Sequence, residues 1–186
     1  MGMYGEPIRN SDEIIDDLFK LDFLCKQRGL IADLLLLGGA SLALMLEMQD
    51  KAFRSTRDID VNILNSSDDK AMYAILQKAG IDIVGGVMTL PPMEDFQEEE
   101  SKHQLDADFE AIRVFVPTPE LLACSKIFTG REKDLQDLEE SSLLDLCDID
   151  KLLEMVQEYK SYMSNPNDKN QNVFELSDIL QRKGLY

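Results

Sequence analysis

Ile14, Ile15, Leu18, Leu21 and Cys25 recur at helical spacing between the cap-like Asn10-Ser11-Asp12-Glu13 and a stop at Gly29, which predicts an amphipathic first helix. Asp33-Leu34-Leu35-Leu36-Leu37 is a short solid apolar run ending in Gly38-Gly39, the pattern of a buried strand entering a tight turn. Ala40 to Met48 reads as a short helix. Asp58-Ile59-Asp60-Val61-Asn62-Ile63-Leu64 alternates polar and apolar residues, the period of a strand with one buried face. Ser66-Ser67-Asp68-Asp69 caps a helix that runs to Ala79 and ends at Gly80.

Farther along, Ile81 to Leu90, with Gly85-Gly86 inside it, reads as two short strands or one bent one, closed by Pro91-Pro92. The acidic run at 94–101 reads as a solvated loop or short helix. Ala111 to Val116 is another strand. Thr118 and Pro119 then supply an N-cap and a first helical residue. Residues 118–186 carry helical periodicity alone, at roughly 119–129, 132–141, 148–163 and 174–183. The expected organisation is therefore an α/β (α+β) part over 1–117 followed by a helical part over 118–186.

Composition places this pattern in an ordinary globular chain, since 44% of its 186 residues are hydrophobic and 30% charged. The charge is less ordinary: 19 Lys and Arg stand against 36 Asp and Glu, a net −17. Such a chain repels phosphate backbones and anionic headgroups at long range, so bulk DNA binding and membrane adhesion are not expected. The longest apolar stretch, Leu34 to Leu46, is interrupted by Gly38, Gly39 and Ser41 and falls short of the ~20 residues a bilayer span requires. The start of the sequence lacks the basic and apolar regions of a signal peptide, and Cys25, Cys124 and Cys147 form no CxxC pair. A cytoplasmic protein with reduced thiols is the expectation.

The chemistry concentrates at Gly38-Gly39-Ala40-Ser41 and Arg57-Asp58-Ile59-Asp60. Residues two apart on a strand project from one face, so Asp58 and Asp60 form a carboxylate pair able to hold Mg²⁺, an ion that takes one or two carboxylates, water and substrate phosphates. A strand that ends in Gly-Gly and enters a helix offers bare N–H groups to a triphosphate. Lone His103 has no motif around it, and with no paired Cys a zinc site or a Cys–His catalyst is not expected.

With Arg54 and Thr56 in the same order, these residues resemble the nucleotidyltransferase superfamily. The likeness is to its small bacterial members, related to abortive-infection toxins, with a Gly-Gly turn and an Arg-x-Thr-x-Asp-Ile-Asp strand. Lys126 and Arg131-Glu132-Lys133-Asp134-Leu135-Gln136-Asp137 resemble the helical motif of that group. The resemblance implies a small mixed sheet flanked by helices and Mg²⁺-dependent transfer of a nucleoside monophosphate from a nucleoside triphosphate. The acceptor is left open among a small molecule, a protein and tRNA, with tRNA disfavoured by the acidity. The resemblance further implies that Gly38, Gly39, Ser41 and Arg57 meet the nucleotide, that Asp58 and Asp60 bind metal, and that Lys126 contacts phosphate, unless Lys126 is a solvated helix residue. Asp134 and Asp137 read as structural. Active relatives supply a third carboxylate, for which Asp106, Asp108 and Glu110 are candidates and Asp108 the preferred one. A chain without that carboxylate would instead be a degenerate nucleotide-binding regulator or half of a toxin–antitoxin pair.

Overall fold

The computed structural model describes residues 9–85 and 89–186. The readings of the N-terminal residues before Arg9 and of Gly86 lie outside them. The described chain forms two compact units, one of residues 9–85 and 103–116, the other of 89–102 and 117–186. Residues 89–102 fall within the expected α/β part over 1–117 and group here with the second unit.

In the first unit, α1 (Ser11–Gln27) starts where Asn10 accepts a 2.9 Å hydrogen bond from the Glu13 N–H, and the chain leaves it through Gly29 at φ +64°. The strands β1 (Ala32–Leu37), β2 (Asp60–Ser66), β3 (Asp82–Ile83), β4 (Lys102–Gln104) and β5 (Ile112–Pro117) form a mixed sheet in the order β3-β2-β1-β5-β4. β1 runs antiparallel to β2 and parallel to β5, and β2 is parallel to β3. Its central place explains why β1 is apolar on both faces. Between the strands lie α2 (Gly38–Glu47) and α3 (Asp69–Lys78), the latter capped by Asp68, which accepts from the Ala71 N–H.

One face of the sheet, with Leu34, Leu36, Val61 and Val114, packs against Ile14, Leu18, Leu21 and Cys25 of α1 and Met72, Ile75 and Leu76 of α3. Each such side chain removed from water contributes about 1.5–3 kcal/mol. The 3.6-residue stripe read from the sequence is thus the core face of α1, with Ile15 at its margin. Asp22 lies on the same stripe and is buried. Its carboxylate accepts backbone N–H bonds from Glu110, Ala111 and Ile112 at 2.7–3.1 Å, which pins the start of β5 to α1.

The second unit contains α4 (Met93–Gln97), α5 (Pro119–Ile127), α6 (Glu132–Glu140), α7 (Leu143–Leu146), α8 (Ile149–Lys160) and α9 (Leu176–Arg182). Pro119 opens α5 as expected, although the Thr118 side chain makes no capping bond. α7 lies between the helices expected at 132–141 and 148–163, where no helix was expected. Among the described residues no helix is long and apolar enough to cross a membrane.

Burial pushes the Cys25 thiol from 9.0 up to about 11, with Asp22 adding to the effect, and the Cys124 thiol up to about 12, with Glu120 adding. A thiol that stays protonated in the fold while it ionises in the unfolded chain stabilises the fold below pH 9, and this contribution is lost as pH rises through about 11–12. Chemical denaturation should therefore give falling stability between pH 9 and 11, with a shallower fall in Cys25→Ala and Cys124→Ala. An equal slope in those variants would assign the alkaline loss to other groups.

Candidate functional site

The end of β1 and the start of β2 meet at one point of the sheet, where Leu37 is the register partner of Asp60. β1 offers no further residue to pair beyond Leu37, so β2 begins at Asp60 and not at Asp58 as the alternation predicts. Asp58 sits on the exposed approach to the strand, two residues before Asp60. Asp60 and Asn62 share the face of β2 opposite the helix-packed core, since the core takes Ile59 and Val61.

The glycines are not a turn ahead of the helix but its first two residues. Gly38 has φ +62°, and a Cβ on it would stand 2.8 Å from Asp60 Oδ2. A Cβ on Gly39 would stand 2.8 Å from Thr56 Oγ1. The two missing side chains therefore let a carboxylate and a buried threonine close onto the N-terminal turn of α2. Thr56 is held there by backbone bonds of 2.6 and 2.9 Å with Arg9, whose guanidinium pairs with Asp17 and also donates to the Arg57 carbonyl. The Arg57 side chain itself is exposed beside Asp58.

The α2 N-terminus carries no side-chain cap and no acidic residue in its first turn. One turn in, Ser41 is 0% exposed, and its hydroxyl is the buried side-chain polar atom among the described residues with no hydrogen-bond partner. Leaving a buried hydroxyl unpaired costs about 1–3 kcal/mol, a cost that a ligand oxygen would offset. The chemistry of the donor set fits a hard divalent ion, since Asp58 and Asp60 offer carboxylate oxygens, although among the described residues no three His, Cys, Asp or Glu form a ready metal cage. Mg²⁺ needs no such cage when phosphates and water complete its shell.

Asp108 is not brought to this point. Ala32 pairs with Ile112 at one end of β1 while Leu37 pairs with Asp60 at the other, about five residues or ~17 Å along the strand. Asp108 precedes Ile112 in a loop at that far end, beside α1, and residues 105–109 belong to no strand. The carboxylate that does adjoin Asp60 is Asp82, its register partner on β3 and exposed on the same face. The sequence carried a cue in Ile81-Asp82-Ile83, an acid between two apolar residues just past a helix stop.

Lys126 lies in the helical unit, on α5, and is 3% exposed. Its ammonium donates to Asp137 at 2.9 Å and to Asp134 at 3.4 Å. Asp134 also accepts from the Thr129 hydroxyl at 2.8 Å and the Arg131 guanidinium at 2.7 Å. Asn172 donates its amide to the Lys126 carbonyl at 3.0 Å. Lys126 is thus neither solvated nor unpaired: it neutralises two buried carboxylates that bind α6 to α5.

A mixed sheet flanked by helices, with a glycine-opened helix beside an Asp-x-Asp strand start, defines a nucleotidyltransferase-like protein. Residues 16–182 match the family model described as nucleotidyltransferase of unknown function (DUF6036), and the chain belongs to that family. No curated protein and no solved structure gives a match.

Proposed function

We propose that the protein transfers a nucleoside monophosphate from a nucleoside triphosphate to an acceptor hydroxyl or phosphate, the acceptor oxygen bonding to the α-phosphorus as the α–β bond breaks and pyrophosphate leaves, with Mg²⁺ held by Asp58 and Asp60. The observation that carries this reading is the unpaired, fully buried Ser41 hydroxyl within the uncapped, glycine-opened end of α2, next to Asp60. When bound, the ion withdraws charge from the phosphate under attack. The N–H groups of the first turn of α2 and the Ser41 hydroxyl bind the phosphate oxygens, favoured by the positive end of the helix. Gly38 and Gly39 let the Asp60 carboxylate and Thr56 close onto that same turn. Asp82 is the residue we assign to receive the proton of an acceptor hydroxyl, a role supported by its register beside Asp60. Arg57, exposed beside Asp58, is the cation we assign to the outer phosphates.

Ser41→Ala provides the test. If the hydroxyl serves a ligand, its removal relieves the unpaired group, so the free protein should melt at a higher temperature while its affinity for a triphosphate with Mg²⁺ falls by about tenfold. A variant that is less stable and binds as well as wild type would return Ser41 to a packing role and leave the phosphate cradle without its main support.

A second reading draws on the placement of Asp108 far from Asp60: a degenerate domain that binds nucleotide as a regulator or as half of a toxin–antitoxin pair. Incubation with α-labelled triphosphates, Mg²⁺ and cell extract separates the two. Label attached to an acceptor supports the enzyme, and binding without label supports the regulator.

A further inference from the structure

α1 carries a second stripe besides its core face. Phe19, Phe23, Lys26 and Gln27 stand at helical spacing i, i+4, i+7 and i+8, and they line one wall of a groove of about 520 Å³ whose other wall is the loop with Asp108 and Glu110. Phe19 is 39% exposed and Phe23 58%. Folding gains little from a phenylalanine left this open, so two on one stripe mark a surface that something else covers. Phe19 is steadied from the loop side by Phe109, ring centroids 4.7 Å apart. The loop is steadied in turn by Asp22, through the N–H groups of residues 110–112. Both walls are therefore fixed before any partner arrives.

The charge of the groove selects the partner. Asp108 and Glu110 line its rim against a single cation, Lys26, paired with Glu110, while the buried Asp22 carboxylate is taken up by the N–H groups of 110–112. A second copy of this chain, at net −17, would bring carboxylates to carboxylates, and a nucleic acid would bring phosphates. From Phe19 to Gln27 the stripe runs ~12 Å, the length of about two helical turns. We propose that this groove docks a basic amphipathic helix of a partner protein, with apolar side chains on Phe19 and Phe23 and Lys or Arg against Asp108 and Glu110. The assignment rests on residues at the end of the sheet away from Asp60, so it stands or falls separately from the nucleotide reading.

The probe is a fluorescein-labelled amphipathic helix of Lys and Leu, about four turns long, with a Glu and Leu helix of the same pattern as counterpart. At near-physiological salt the Lys and Leu helix should bind, with amide shifts confined to 19–27 and 106–111 in the NMR spectrum of the full chain. Phe23→Ser, which keeps the net charge and removes an exposed ring, should weaken binding by about tenfold with an unchanged melting curve. Asp108→Lys with Glu110→Lys should weaken it too and admit the Glu and Leu helix. Equal affinity for wild type and Phe23→Ser would reduce the effect to general surface charge and overturn the proposal. So would shifts mapping elsewhere, absence of binding, or self-association of the chain through this face.

Discussion

Asp60→Asn is expected to abolish Mg²⁺-dependent label transfer, lowering the rate by about three orders of magnitude or more. Its neutral amide cannot balance an ion whose charge stabilisation is worth several kcal/mol in the transition state. Gly38 makes Asp60 the more exacting of the two aspartates, because the carboxylate lies so close to the glycine that a Cβ there would stand 2.8 Å from its oxygen. Asp58, exposed on the approach to the strand, tolerates small displacements better, so Asp58→Asn should act in the same direction with a smaller loss. The measurement is single-turnover labelling beside a nucleotide titration and a melting curve. Transfer that survives Asp60→Asn in folded protein would remove the carboxylate pair from the mechanism.

Lys126→Met should lower the unfolding free energy by about 3–5 kcal/mol, since it removes the buried counter-charge that Asp134 and Asp137 share and leaves Asp134 with only the exposed Arg131 as an ion-pair partner. The triple variant with Asp134→Asn and Asp137→Asn should recover most of that loss, because a neutral, similarly shaped set replaces the ionic one. Denaturant midpoints on the single and triple variants check both statements. The triple variant also isolates the phosphate contact that the family resemblance implies for Lys126. If it is stable and binds triphosphate as wild type does, Lys126 serves the fold alone. If it is stable and binding is lost, the lysine charge reaches the nucleotide as well.

Local chemistry was readable in the sequence, and pairing between distant segments was not. Gly38-Gly39 and Asp58-Ile59-Asp60 could be picked out because turn, helix start and strand period are written in neighbouring residues. The start of β2 at Asp60 could not, because it is set by where β1 runs out. The distance of Asp108 from Asp60 was hidden for the same reason: nothing local within 105–110 says which end of the sheet the segment reaches, and only the β2–β3 register brings Asp82 forward. β4, with Lys102, His103 and Gln104, has no apolar alternation to detect. The burial of Lys126 was nearer to hand. Leu121-Leu122-Ala123-Cys124 and Ile127 leave α5 little polar face, so a lysine among them had to find carboxylates, and Asp134 and Asp137 stand three apart on the next helix. Asp22 had the same clue, lying on the apolar stripe between Leu18 and Cys25.

The clamp between Asp22 and the start of β5 also bears on how the chain comes off the ribosome. The N–H groups that Asp22 binds follow it by 88 to 90 residues, and the stretch between includes residues that belong to the other unit. At roughly 5–20 residues per second, a nascent chain holds α1 with this carboxylate unmatched, and β1 with one edge open, for on the order of 4–18 s. Over that interval the Leu34–Leu37 run is a bare apolar edge, the kind of segment that chaperones bind and that aggregation starts from. A nascent chain stalled before residue 110 should therefore be sticky, and release past residue 116 should close the sheet and the clamp in one step.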